Sequence, residues 1–450
     1  MRDLSRIVKA YDIRGEVPAD FDVEIAGEIG AAFVRTLGVA AIVTAHDMRD
    51  SSPGLAAAFA AGAAGQGADV IEAGLASTDM LYFAAGSLDM PGAMFTASHN
   101  PAKYNGIKLC RAGAAPVGQD SGLAEIQALV ERGVLPAFDG SPGTITQRDV
   151  LTDYADYLRA LVSLSGIRRL TVVVDAGNGM AGHTVPTVFA GLPLDLVPLY
   201  FELDGTFPNH EANPLVPENL RDLQAAVLDS GADIGLAFDG DADRCFVIDE
   251  RGEPVPPSAI TGLVAARELA REPGATIIYN LITSRAVPEL VTERGGRPVR
   301  TRVGHSFIKA EMARTGAIFG GEHSAHYYFR DFWRADTGML AALHVLAALG
   351  GHGQPLSELV TEFSRYAASG EVNSTVDDQA AVSERVERAF AAQPGARVDH
   401  MDGLTVELPD GSWFNLRASN TEPLLRLNVE GPDDSRMTAL RDEVLALVRT

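Results

Sequence analysis

Short apolar runs rich in β-branched residues recur along this chain, each closing on a polar or glycine-rich loop before or after a helical stretch. Ala41-Ile42-Val43-Thr44 reads as a strand, residues 53–66 as an alanine-rich helix, and Ala68-Asp69-Val70-Ile71 as the next strand. Leu170-Thr171-Val172-Val173-Val174 is another such run, ending at Asp175-Ala176-Gly177. Residues 219–230 place apolar side chains at 220, 223, 227 and 228, a helical period, with Gly231 as the expected C-terminal cap. Ile234-Gly235-Leu236-Ala237-Phe238 then returns to strand. This alternation specifies an α/β architecture. Three strands end in polar loops, at residues 96–108, 239–244 and 320–326, which share no sequence identity; a repeat is expected in topology only.

At 450 residues the chain exceeds a single core. Gly140-Ser141-Pro142-Gly143, Glu253-Pro254-Val255-Pro256-Pro257 and Ala367-Ala368-Ser369-Gly370 read as linkers. They divide the chain into domains at 1–143, 144–254, 255–368 and 369–450. The last is short and ends as strand (413–416), turn (417–423) and strand (424–429).

An apolar fraction of 46% and a charged fraction of 22% are those of a soluble globular protein. A net charge of −23 excludes the basic footprint of a nucleic-acid binder. An anionic ligand would need a local cluster of arginine and lysine. Cys110 and Cys245 flank apolar runs and read as buried thiols, with no sign of an oxidising compartment. The first residues carry no apolar signal core, and the stretch 339–349 is too short to span a bilayer and contains His344. The expectation is a cytoplasmic enzyme without a membrane partner.

Four loops carry chemistry. In Thr96-Ala97-Ser98-His99-Asn100-Pro101 a hydroxyl nucleophile stands at a strand end, with Lys108 ten residues on. Asp239-Gly240-Asp241-Ala242-Asp243-Arg244 gathers three carboxylates, hard ligands suited to Mg²⁺ or Ca²⁺. Asp239, Asp241, Asp243 and Glu250 also match positions 1, 3, 5 and 12 of an EF-hand loop. That match fails because Arg244 stands where glycine is needed and the flanks are strand-like. In Gly320-Gly321-Glu322-His323-Ser324-Ala325-His326, Glu322 and Ser324 suit vicinal hydroxyls and His326 suits proton transfer. Arg417-Ala418-Ser419-Asn420-Thr421-Glu422-Pro423 is a typical anion cradle, which Arg426 extends. Tyr11-Asp12-Ile13-Arg14-Gly15 places a further arginine in a turn. Gly177-Asn178-Gly179-Met180-Ala181-Gly182 matches a dinucleotide fingerprint, but Asp175 before it would repel a pyrophosphate, so a tight strand-to-helix turn is preferred.

Together these segments resemble the α-D-phosphohexomutase family, its bacterial phosphomannomutase/phosphoglucomutase branch most. The loops T-x-S-H-N-P, D-G-D-x-D-R, G-E-x-S-x-H and R-x-S-N-T-E-P occur in the family's order. The resemblance implies four domains around a central cleft: three related mixed α/β domains and a smaller C-terminal α+β domain. It implies an isomerase that moves phosphate between O1 and O6 of mannose or glucose through a hexose 1,6-bisphosphate; the alternative is a phosphoglucosamine mutase. Ser98 would be the phosphorylated serine, and Asp239, Asp241 and Asp243 would hold Mg²⁺ with it. Arg14, Lys108 and Arg244 would line the transfer site, with His305 and His326 as proton-transfer candidates. Tyr11, His305, Glu322, Ser324 and His326 would meet the sugar, and Arg417, Ser419, Asn420, Thr421 and Arg426 the distal phosphate. The expected partner is a phosphorylated hexose and the expected state a monomer or weak dimer.

Four positions, three of them departures and His323 a variable one, qualify the resemblance. Ala242 and Ala325 replace usual glycines, at little cost unless φ is positive there. Arg285 stands near where some members carry lysine. His323 occupies a position where phosphoglucosamine mutases usually carry glutamine, which favours a hexose substrate.

Overall fold

The computed structural model describes residues 3–133, 138–418 and 424–450. The chain forms two compact units: Met1–Val255 with Ser324–Leu359, and Pro256–His323 with Val360–Thr450.

One topology occurs three times. A central strand is followed by a helix and a parallel neighbour on one side, then by a second helix and a parallel strand on the other side. In the larger unit the first instance runs through the strands Ala41–His46, Asp69–Leu75 and Gly92–Phe95. The second runs through Leu170–Asp175, Leu194–Leu199 and Ile234–Phe238. In the smaller unit the third runs through Thr276–Asn280, Arg297–Thr301 and Phe319–Gly321. The strand order therefore reverses beside each central strand, and ligands of open α/β sheets bind outside the carboxyl ends of the strands at such a reversal. The third strand of each set ends at the loops beginning with Thr96, Asp239 and Glu322.

Local sequence sets these elements. Asp22 caps the helix Val23–Leu37 by accepting from Ile25 N at 2.9 Å, and Gly38 ends it at φ 63°. The alanine-rich helix Ser52–Ala64 packs against it so closely that a Cβ on Gly62 would lie 1.9 Å from the Gly27 carbonyl oxygen. Phe33, Phe59 and Phe95 join both helices to the sheet, with ring centroids 5.7 and 5.4 Å apart along the series. The helix expected over 219–230 is Arg221–Ser230, entered through a 3₁₀ turn at Pro217–Leu220 and ended by Gly231 at φ 61°.

The C-terminal part of the smaller unit is a five-stranded antiparallel sheet, edged by Ala367–Thr375 and Arg397–Asp399. The helices Gln379–Ala391 and Asp434–Val448 supply Val386, Phe390, Leu440 and Val444 to its core. Among the described residues no helix is long and apolar enough to cross a membrane. Both cysteines are buried free thiols.

Candidate active site

Ser98 lies just beyond the strand Gly92–Phe95, at the reversal of the first sheet. Its backbone is left-handed, with φ 50°, and its N–H donates to Thr96 Oγ1 at 2.9 Å. This conformation brings Oγ to 2.8 Å from Asp239 Oδ2, to which it donates. The acidic loop comes this close because residue 240 has no side chain: a Cβ there would lie 2.4 Å from the Ser98 carbonyl oxygen.

The glycine motif at 177–182 supports that approach. Met180 N donates to the Gly240 carbonyl at 2.9 Å, and a Cβ on Gly179 would sit 2.7 Å from the same oxygen. Asp175 accepts from Gly177 N at 2.8 Å and lies 3.0 Å from His210 Nε2. The motif is thus filled by protein backbone, as the sequence expectation of a tight turn had it.

Asp239, Asp241 and Asp243 are at most 2% exposed, and ligand oxygens from the three lie within 4.8 Å of one another. Oδ1 of Asp241 and Oδ1 of Asp243 are buried without a hydrogen-bond partner among the described residues. Burial pushes Asp239 up to about 7 against the pull of Arg244, as expected of a carboxylate crowded by others in a dry site. Asp241, which burial alone would raise, is held below the ordinary carboxylate range by Lys108 and Thr78. Buried oxygens that lack donors, in an all-carboxylate set, fit a hard dication. The EF-hand alternative fails structurally: the flanks Ile234–Phe238 and Cys245–Ile248 are an antiparallel strand pair, and Glu250 accepts from Ser357 Oγ at 2.5 Å.

Cations surround these carboxylates. Lys108 Nζ donates to Asp241 Oδ2 and Asp243 Oδ2, each at 2.6 Å. Burial disfavours its charge, but the two carboxylates outweigh this and raise its pKa well above the usual lysine value. Arg244 holds Asp239 through Nε at 2.9 Å and Nη2 at 2.8 Å. Its Nη2 also lies 2.5 Å from His99 Nδ1. Burial, then Arg244 and Arg14, keep the His99 pKa well below normal, so this ring is a neutral acceptor already occupied. Arg14 donates to Asn100 Oδ1 and to Asp12, both at 2.6 Å; Tyr11 is half-buried three residues before it. His326 pairs Nδ1 with Ser324 Oγ at 2.9 Å and carries Nε2 3.8 Å from Asp243 Oδ1. The larger unit thus brings together Ser98, the three aspartates, Arg14, Lys108, Arg244, Ser324 and His326.

Glu322 and Ser324 fall in different units, whose boundary lies between His323 and Ser324. In the smaller unit Glu322 is 2% exposed, and its Oε1 accepts from Asn280 Nδ2 at 3.0 Å and Gly304 N at 3.2 Å. It therefore holds the turn from which His305 opens the helix His305–Thr315. His323 Nδ1 lies 3.2 Å from Ser258 Oγ, facing inward within its own unit.

Arg417 differs from its expected place in a turn: it belongs to the strand Trp413–Ala418, directly opposite Arg426 on Leu424–Gly431. Facing arginines repel unless an anion or acid joins them. Their acidic neighbours are distant, Asp402 at 3.9 Å from Arg417 and Glu371 at 3.7 Å from Arg426. Nε of each arginine is buried without a hydrogen-bond partner among the described residues. Ser419, Asn420 and Thr421 lie outside the described residues.

Sequence reasoning missed several contributors. Thr78 donates to Asp241 Oδ2 at 2.6 Å, yet looks like any helix-start threonine. Asp402 accepts from Val303 N at 3.1 Å beside Arg417. Asp47 and Arg49 form a buried pair after the strand Ala41–His46, and the signal was available: charged residues directly following an apolar run.

Family models match nearly the whole chain. Those described as phosphoglucomutase/phosphomannomutase alpha/beta/alpha domains I, II and III match residues 5–135, 152–252 and 257–366, and the C-terminal domain of the same family matches 371–447. The chain belongs to the phosphoglucomutase/phosphomannomutase family. It is an isomerase of the phosphohexose-mutase class. It is 42% identical to a phosphomannomutase of Salmonella montevideo over 98% of each chain. It is 40% identical to a protein named phosphohexose mutases from Xanthomonas campestris pv. campestris, over 97% of this chain and 98% of that one. A solved phosphoglucomutase/phosphomannomutase family protein from Burkholderia thailandensis superposes with a TM-score of 0.89 at 35% identity, covering 100% of this chain and 98% of the other.

For a phosphohexose mutase, the departures noted above have structural consequences. Ala242 and Ala325 sit at φ 59° and 64°, so the condition for low cost is not met and both alanines are strained. Arg285 does not stand as a free cation: it donates to the Gly411 carbonyl at 2.6 Å and lies over the Tyr366 ring.

Proposed function

We propose that the chain interconverts hexose 6-phosphate and hexose 1-phosphate, with mannose and glucose as the sugars, through phospho-Ser98 and a hexose 1,6-bisphosphate. The proposal includes four domains, divided as the linkers suggest, each contributing one loop. The observation that carries it is the placing of the Ser98 hydroxyl 2.8 Å from a buried aspartate trio, ringed by Arg14, Lys108 and Arg244. A hydrolytic serine would need an adjacent base; His99 Nδ1 lies 3.2 Å from Ser98 Oγ, but Arg244 Nη2 is closer to that nitrogen at 2.5 Å, and the serine hydroxyl donates to Asp239 instead.

In the proposed reaction the bond from Ser98 Oγ to phosphorus breaks as a free sugar hydroxyl bonds to the phosphorus, and the hydroxyl proton leaves. The bisphosphate then turns round, and its other phosphoryl group returns to Ser98 Oγ. Asp239, Asp241 and Asp243 would hold Mg²⁺, which would supply charge neutralisation for phosphoryl transfer. Arg244 and Arg14 flank the serine loop and offset charge that develops on the phosphoryl oxygens. Lys108 enters as a charged donor between two carboxylates, so it orients oxygens rather than accepting a proton. His326 is the acceptor this geometry favours, its ring held at Nδ1 by Ser324. The Arg417–Arg426 pair suits the phosphate that is not reacting, because two facing guanidinium groups, whose Nε donors have no partner among the described residues, call for an anion. Glu322 and His305, tied together through Gly304, suit the sugar.

Ser98→Ala tests the reading. Mutase turnover on mannose 1-phosphate and glucose 1-phosphate should fall by about a thousandfold or more, since the phosphoryl carrier itself is removed. Activity near that of the parent would remove the phosphoserine route.

A further inference from the structure

Arg49 is 1% exposed, yet it touches none of the groups assigned to the reaction through their side chains. Its guanidinium instead gathers backbone. Nη2 donates to the carbonyls of Ser98 at 2.9 Å and Asn100 at 2.7 Å. Nη1 donates to those of Pro101 and Tyr104, both at 2.9 Å. Nε completes the set on Asp47 Oδ2 at 3.2 Å. All five N–H groups of the fork are used. Asp47 is fixed in turn: its Oδ1 accepts from Arg49 N at 3.0 Å and Ser52 Oγ at 2.5 Å. Below the fork, the Phe207 ring centroid lies 5.1 Å from Arg49 Cζ, and a Cβ on Gly205 would approach Arg49 Cα to 2.6 Å.

Two features of the site depend on these carbonyls. Ser98 holds a left-handed φ of 50°, a conformation a serine keeps only when its surroundings enforce it. Its carbonyl is clamped between Arg49 Nη2 and the glycine face of residue 240. Asn100, held by the same nitrogen, presents Oδ1 to Arg14 at 2.6 Å. We propose that Arg49, locked by Asp47, is the positioning residue of the phosphoryl-carrying loop: by binding four carbonyls from inside, it sets both the aim of Ser98 Oγ and the place of Arg14. The inference rests on the phosphoserine reading above.

Lysine at this position keeps the charge but offers three donors on one nitrogen, which cannot span four carbonyls. Arg49→Lys should lower kcat about a hundredfold, the cost of a small misplacement of reacting groups. KM for hexose 1-phosphate should stay within about threefold, because substrate docking lies elsewhere. Guanidinium ion, at a non-denaturing concentration, should restore part of kcat to Arg49→Ala, whereas methylammonium should not. A general folding role would lower activity without that selectivity. An Arg49→Lys enzyme with kcat within about threefold of the parent would overturn the proposal; so would equal rescue by both ions. If Arg49→Lys does not fold, Phe207→Leu loosens the fork from below and should lower kcat at constant KM; unchanged kcat there overturns the proposal too. The two claims separate cleanly. A parent enzyme lacking phosphate on Ser98 sinks the phosphoserine reading whatever Arg49 does, while a phosphorylated, active parent with an unimpaired Arg49→Lys sinks only this inference.

Discussion

At the scale of single residues, the site is made by backbone that ordinary side chains resist. A left-handed serine costs about 1–3 kcal/mol, and the fold sustains it at Ser98 by clamping the carbonyl from two sides. Gly240 is one jaw of that clamp. Gly240→Ala would force its new Cβ, now 2.4 Å from the Ser98 oxygen, to displace the serine or the acidic loop. The expected outcome is a destabilisation of about 1–3 kcal/mol, read in urea unfolding, with a loss of kcat larger than that stability change would cause. Parent-like kcat would show that the close approach is incidental. The same logic explains what the sequence could and could not reveal. Ser98, the aspartate trio and Lys108 were legible because nucleophile, hard ligands and cation stand in short runs. Thr78 and Arg49 act through contacts 49 to 163 residues away in sequence, which no local pattern reports; only the burial of the Asp47–Arg49 pair was signalled, by charged residues directly after an apolar run.

Elements place these residues. The strand–helix–strand–helix–strand unit recurs three times with no shared loop sequence, so its repetition was visible only as strands ending in polar loops. Periodicity gave Ile234–Phe238 and Leu170–Asp175 nearly to the residue, because both are continuous buried runs. It misplaced Arg417: in a chain read locally, an arginine before Ala-Ser-Asn looks like part of a turn, whereas cross-strand pairing with Arg426 extends the strand to Ala418. That pairing carries a prediction. Arg417→Ala should raise KM by about tenfold or more for mannose 1-phosphate and glucose 1-phosphate alike, since a charge-assisted phosphate contact is lost whichever sugar bears it. Steady-state kinetics on both sugars checks this, and a change confined to one would contradict a shared phosphate cradle.

For the molecule as a whole, a net charge of −23 repels a phosphorylated sugar, so binding must be local. The arginine and lysine cluster of the larger unit and the arginine pair of the smaller one are where that repulsion is reversed. Inside the larger unit, three buried carboxylates oppose one another, and a bound dication would relieve them. Mg²⁺ at about a hundred times its Kd should therefore add about 2.7 kcal/mol to native stability, visible as a rise in Tm that EDTA reverses and Asp241→Asn diminishes. An unchanged Tm would count against a metal at this trio.

The central claim is that Ser98 carries the phosphoryl group. Intact-mass analysis with peptide mapping, after incubation with glucose 1,6-bisphosphate, tests it most directly. The account predicts one added phosphoryl group, mapped to Ser98 and lost again on exposure to hexose 1-phosphate or 6-phosphate. A turning-over enzyme whose mass never changes, or whose phosphate maps to another residue, would contradict it.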